Sequence, residues 1–186
     1  MLFNNVKQEF PTLNNNSELV YLDSAASTQT HQRVLDKMSE YYEYKRCNVN
    51  RGDFRISQEV SADIEEARCS VAKLINAKSE QIMFTAGATE GLNIIAEWYK
   101  DVPTVIITEA EHTANILPWI AQGRTIDNGR LVVLPITERG TVDTNKACEM
   151  FSQYPNGVLS INSHSNVTGI CTNYSKLTKA AQEQGI

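Results

Sequence analysis

Three features of the sequence predict an α/β fold with a mostly parallel sheet and covering helices. Four short runs rich in β-branched and apolar residues, QIMFT, TVIIT, RLVVLP and GVLSIN, alternate with segments of helical periodicity. That alternation is the signature of crossover units, whose right-handed connections set the topology. Each run has a contiguous apolar centre (IMF, VII, LVVL and VL), as strands covered on both faces do. With 186 residues, 41% of them hydrophobic and 21% charged, the chain is long enough to bury a substantial core.

Up to about residue 79 the pattern is helical. Gln32 to Lys45 carries Val34, Leu35, Met38, Tyr41 and Tyr42 at helical spacing. Ser57 to Ile75 repeats the pattern with Val60, Ile64, Ala67, Val71 and Leu74, and Ser57 is the expected N-cap. Between them lies CNVNRGDFR, a polar loop rich in ligand-capable groups, and before them the short apolar run LVYLDSAAST. From residue 80 the expected order is strand 81–85, helix 90–99, strand 104–108, helix 114–122, strand 130–135, helix 145–152, strand 157–162 and helix 174–184. Gly185 is placed as the last helix stop and Ile186 as the first residue of a further strand. On this pattern the chain is expected to be a piece of a longer protein or to be completed by a partner chain.

Lys and Arg number 17 against 22 Asp and Glu, a formal charge of −5. That balance, without a basic stripe, argues against nucleic-acid binding. No apolar run approaches the roughly 18 residues a spanning helix needs. The N-terminus MLFNNVKQEFPTL lacks the basic-then-apolar order of a secretory signal, so a cytoplasmic protein is expected. Cys47, Cys69, Cys148 and Cys171 show no paired spacing, so neither a disulfide framework nor a metal site is expected.

In parallel α/β sheets ligands collect at the carboxyl ends of the strands. Three segments fall there. Ala86-Gly87-Ala88-Thr89-Glu90 follows QIMFT and opens a helix, where backbone N–H groups, the helix dipole and the Thr89 hydroxyl suit a phosphate. A plain helix start would use the same residues. Neither GxGxxG nor GxxxxGK[ST] is present, so neither a dinucleotide nor a nucleoside triphosphate is indicated. Glu111-His112-Thr113-Ala114-Asn115 follows TVIIT, and His112 there suits stacking on a flat ligand or proton transfer, or simply capping a helix. Ser163 to Gly169 follows GVLSIN, and Asn166 there is either a donor to a ligand oxygen or a turn residue.

Five motifs in fixed order, YLDSAAS, NVNRG, FTAGATEGLN, EHTANILPW and SNVTG, resemble the class V aminotransferase superfamily, and within it the SUF-type cysteine desulfurases and selenocysteine lyases. The resemblance covers nearly the whole chain but only the N-terminal half of a usual family member. It implies a fold-type I pyridoxal-phosphate enzyme, normally a homodimer, that takes sulfur from L-cysteine to leave alanine and a persulfide on an enzyme cysteine. A sulfur-acceptor protein and a role in iron–sulfur cluster assembly follow from the same likeness. By resemblance Ala88 and Thr89 bind the cofactor phosphate, and His112 stacks on its ring and is the proton-transfer candidate. Asn166 contacts the ring oxygen, while Ala25, Ala26 and Arg51 serve the substrate side. Residues 1–79 are then an N-terminal helical arm with substrate-side loops, and 80–186 the first half of the cofactor-binding domain.

The motifs also depart from the family pattern. Asn50 stands where NVHRG has an imidazole, and Thr113 replaces the second histidine of EHHAN. His164 is not the histidine of HVSNV, and it is assigned no role. The lysine that holds the cofactor covalently, the aspartate beneath its ring nitrogen and the sulfur-accepting cysteine have no counterpart within residues 1–186. The chain alone is therefore expected to be inactive until a lysine-bearing half or second subunit completes it. Other class V activities (selenocysteine lyase, kynureninase-like hydrolase, aminotransferase) and a non-catalytic interaction module are the alternative readings.

Overall fold

A computed structural model describes residues 6–186 and divides the chain into two compact units, Met1–Phe84 and Thr85–Ile186. In the N-terminal unit a short helix α1 (Pro11–Asn15) is followed by α2 (Gln32–Glu40), which runs on into a π-helical turn over Tyr41–Lys45, and by the long α3 (Arg55–Leu74). His31 caps α2: its Nδ1 accepts from the Arg33 N–H at 3.0 Å, and its Nε2 meets Glu9 at 2.5 Å. The apolar stripe expected on α2 is there, but Val34, Met38 and Tyr42 on it are exposed in this unit. Lys45 reaches Asp63 of α3 at 2.9 Å and Glu40 at 3.3 Å, and those two carboxylates, Asp63 first, hold its ammonium above the ordinary lysine value.

Ser57 is not the cap of α3. The helix starts earlier, at Arg55, with Phe54 in the cap position, and Ser57 is buried with its hydroxyl donating to the Asn48 carbonyl at 2.8 Å. The residue therefore anchors the NVNRG loop instead of opening the helix. Gly52 lies against the same side chain: a Cβ there would stand 2.8 Å from Ser57 Oγ and 2.9 Å from its Cβ. Gly52→Ala is expected to destabilise the N-terminal unit by about 2 kcal/mol through this overpacking. Chemical denaturation of the variant checks the figure, and an unchanged midpoint would show that the loop gives way at no cost.

QIMFT does not form a strand. Ser79–Gln81 make a 3-10 turn and Ile82 after it is extended, at φ −100° and ψ 122°, but residues 81–85 belong to no strand among the described residues. Apolar periodicity reports local conformation, whereas a strand also needs a neighbouring edge.

The C-terminal unit contains the expected alternation: α4 (Ala88–Trp98), β1 (Val105–Thr108), α5 (Thr113–Ala121), β2 (Leu131–Leu134), α6 (Thr144–Phe151), β3 (Val158–Leu159) and α7 (Tyr174–Glu183). The three strands are parallel in the order β2-β1-β3, with Val105 opposite Leu131 and Val158, and Ile106 opposite Val132 and Leu159. All of β1 is buried, and its side chains divide between two cores. Ile106 joins Leu134, Phe151, Leu177 and Ala181 beneath α6 and α7. Val105 and Ile107 join Ala96, Trp119 and Leu131 beneath α4 and α5. Gly185 at φ 74° ends α7 in the left-handed conformation expected of a stop. All four cysteines are free thiols, and no described helix is long and apolar enough to cross a membrane.

Candidate functional site

The strand order creates a crevice. After β1 the chain turns to α5 on one face of the sheet, and after β3, its neighbour, it turns to α7 on the other. Loops that part to opposite faces leave a gap at the carboxyl ends of the two strands, the switch point where open α/β sheets hold ligands. A cavity of about 400 Å³ occupies this gap, walled by residues 109–113 after β1, by residues 165–168 after β3, and by Ile136 and Gly140. His112 and Asn166, assigned to the site from sequence, both line it, one from the loop after β1 and the other from the loop after β3.

His112 is the N-cap of α5, its backbone extended at φ −71° and ψ 146°, and its Nδ1 accepts from the Ala114 N–H at 3.1 Å. Capping and ligand contact are thus compatible uses of one ring. With Nδ1 engaged, the proton of the neutral imidazole sits on Nε2, which is the nitrogen left to meet a ligand. Asn166 lies in the tight turn Ser165–Gly169, closed by the Gly169 N–H donating to the Ser165 carbonyl at 2.8 Å. The turn is held by its neighbour: Ser165 is buried, and its Oγ accepts from the N–H groups of Val167 and Thr168. The exposed Asn166 amide forms no hydrogen bond among the described residues, so both its donors remain open.

Next to His112 in the chain, Glu111 sits at the centre of a polar cluster to which the sequence reading gave no role. The Glu111 carboxylate accepts from Thr108 Oγ1 at 2.7 Å, from Asn115 Nδ2 at 2.8 Å and from the Asn162 N–H at 3.0 Å. Asn162 in turn donates its side-chain amide to the Ala110 carbonyl at 2.8 Å. One signal was available: Glu111 and Asn115 stand four residues apart across a helix start, the spacing at which side chains meet.

Ala88 and Thr89 open α4. Because α4 leads back by a short connection into β1, its N-terminus lies at the same end of the sheet as the crevice. The N–H groups of Ala88, Thr89 and Glu90 and the Thr89 hydroxyl donate to nothing among the described residues, and a Cβ built on Gly87 would meet nothing within 4 Å. These are unengaged donors beside open space, with the positive end of the helix behind them. Ala25, Ala26 and Arg51 belong to the other unit. Ala26 sits in a turn onto the Asp23 carbonyl (3.1 Å), and Arg51 is exposed next to Asn50, which takes the left-handed conformation at φ 60°.

The Aminotransferase class-V family profile matches residues 20–186. A cysteine desulfurase of Serratia proteamaculans is 36% identical over 97% of the chain and 46% of its own length. The cysteine desulfurase SufS of Plasmodium falciparum is 32% identical over 95% of the chain and 34% of its own length. Among solved structures, the apo cysteine desulfurase of Thermococcus onnurineus superposes with a TM-score of 0.84 at 30% identity, covering 98% of this chain and 45% of the other. The chain thus spans less than half the length of these relatives.

Proposed function

Because the chain belongs to the aminotransferase class V family, we propose that it is the cofactor-gripping part of a pyridoxal-phosphate-dependent cysteine desulfurase, acting on L-cysteine to give alanine. The observation that carries this reading is the pair His112 and Asn166 lining the switch-point crevice, with the open donors of α4 at the same sheet end.

The donor set suits a phosphorylated pyridine. A phosphate dianion matches the N–H groups of Ala88 and Thr89, the Thr89 hydroxyl and the helix dipole. A flat ring suits the imidazole face of His112, and the ring oxygen suits the free amide of Asn166. When bound, pyridoxal phosphate supplies the electron sink that lets the carbon–sulfur bond of the substrate break. The chain's own residues would then hold phosphate, ring and oxygen at three points, with the Nε2–H of His112 as the proton-transfer candidate. Ala25, Ala26 and Arg51 are proposed for the substrate side. The anchoring lysine and the persulfide-bearing cysteine come from outside residues 1–186, and a sulfur-acceptor protein follows them.

The test is made on the protein that carries this chain, by visible absorption and by alanine release from cysteine, selenocysteine and kynurenine. A cofactor band near ~420 nm with alanine released fastest from cysteine is the expected result. Faster release from selenocysteine or kynurenine moves the activity to another branch of the family. A protein with no band is better read as an interaction module.

A further inference from the structure

We propose that Glu111 is a positioning residue: its carboxylate is the clasp that sets the spacing of His112 and Asn166 across the crevice. The inference rests on the function proposed above for what the spacing serves, and on geometry alone for the clasp itself.

The sheet does not set that spacing. β1 and β3 share only the rungs Val105–Val158 and Ile106–Leu159, and their last backbone bond runs from the Ser160 N–H to the Ile106 carbonyl at 2.8 Å. Beyond it, the two loops are tied through the Glu111 cluster. One carboxylate joins three pieces of chain: Thr108 at the end of β1, Asn115 in the first turn of α5, and the backbone of Asn162 after β3. Asn115 is itself buried, and it holds Ser160 twice, donating to its carbonyl at 3.1 Å and accepting from its hydroxyl at 2.6 Å. His112 is the residue after Glu111, and Asn166 follows Asn162 by four, so both site residues hang from the clasp.

The chemistry of the cluster makes the role testable. All the partners of Glu111 are N–H or O–H donors, which suits an acceptor-only carboxylate. A glutamine of the same length keeps one oxygen for Asn115 and Asn162 and can donate its NH₂ to the Thr108 hydroxyl, giving up only the second of the two bonds from the Asn162 N–H. An aspartate keeps the charge but is one methylene too short to span all three pieces. Positioning therefore predicts that Gln preserves function and Asp loses it; a purely electrostatic role predicts the reverse.

The experiment compares Glu111→Gln, Glu111→Asp and Glu111→Ala in the protein that carries this chain. Three readouts are needed: the ring ¹⁵N shifts of His112 without cofactor, the melting temperature, and kcat and KM for alanine release. Glu111→Gln is expected to stay within about twofold of the parent, whereas Asp and Ala lower kcat about tenfold with KM for cysteine nearly unchanged, the signature of misplaced groups. In the same two variants the His112 shifts move from a single Nε2–H tautomer toward the average of both. Should they fail to fold, Thr108→Val, which keeps the side-chain shape and removes the hydroxyl's bond to the Glu111 carboxylate, is expected to lower kcat about threefold and to shift His112 the same way. The proposal is overturned if folded Asp or Ala variants keep kcat and the His112 shifts, if Gln is damaged as badly as Asp, or if the substitute Thr108→Val moves neither readout. A parent protein that binds no pyridoxal phosphate overturns the functional reading instead, and the His112 shifts still decide the fate of the clasp.

Discussion

Replacing His112 with asparagine in the protein that carries this chain is expected to lower alanine release from L-cysteine by about a hundredfold, the lower end of what a positioned proton-transfer group contributes. Asparagine is the informative choice because His112 does two things at once. Its Nδ1 caps α5 through the Ala114 N–H at 3.1 Å, and its ring presents Nε2 to the crevice. Asparagine is among the best N-caps, and its side-chain oxygen can accept the same bond, so the helix start and the melting temperature are preserved. His112→Ala removes both functions, and it should lose the same activity and a further ~1 kcal/mol of stability. A steady-state assay paired with thermal melts separates the two. Full kcat in a correctly melting His112→Asn variant would remove the histidine from the reaction and leave it as a cap.

The sequence was most legible where function and fold both depend on order along the chain. TVIIT, RLVVLP and GVLSIN contain β1, β2 and β3 because short apolar runs rich in β-branched residues suit strands covered on both faces, and β1 is buried at every position. His112 and Asn166 were readable for the same reason, since a residue just past a parallel strand must lie at the ligand-binding end of the sheet. Three things were not legible. QIMFT has strand composition but forms no ladder, because a ladder partner is a non-local fact. Ser57 looked like a cap, yet the helix begins before it and its hydroxyl serves the Asn48 carbonyl nine residues back. Glu111 was given no role of its own, and one of its partners is Asn162, fifty-one residues away, whose approach depends on β3 lying beside β1. Local chemistry reads directly from the sequence; partnerships that need the sheet assembled do not.

Arg124 is the second position where a large effect is expected, and its sign depends on two opposing terms. The side chain is fully buried, and no carboxylate lies within hydrogen-bond reach of it among the described residues. Burial pushes its guanidinium below the ordinary arginine value, and the nearby Arg130 adds to that. Against this cost, Nη2 donates to the carbonyls of Tyr99 and Lys100 at 3.3 and 2.8 Å, and Nε donates to Gln122 Oε1, while Gln122 itself donates to the Ala96 carbonyl. The arginine thus serves the carbonyl end of α4, where the helix leaves acceptors without partners and the dipole favours a cation. Nη1 has no partner, so the desolvation is not fully offset. Each charge-assisted bond contributes about 1.5–3 kcal/mol, and without the guanidinium the Tyr99 carbonyl keeps only the Val102 N–H at 3.2 Å while the Lys100 carbonyl loses its one donor among the described residues. Arg124→Ala is therefore expected to destabilise the C-terminal unit by about 3–4 kcal/mol, combining the lost bonds with the lost packing of a large buried side chain. Arg124→Met, which refills the space without the donors, should lose about 1–2 kcal/mol, because it also removes the cost of burying the charge. Both tryptophans of the chain, Trp98 and Trp119, lie in this unit, so their fluorescence during urea unfolding reports it selectively. A methionine variant more stable than the parent would show that desolvation outweighs the bonds, and that water reaches the end of α4 when the arginine is gone.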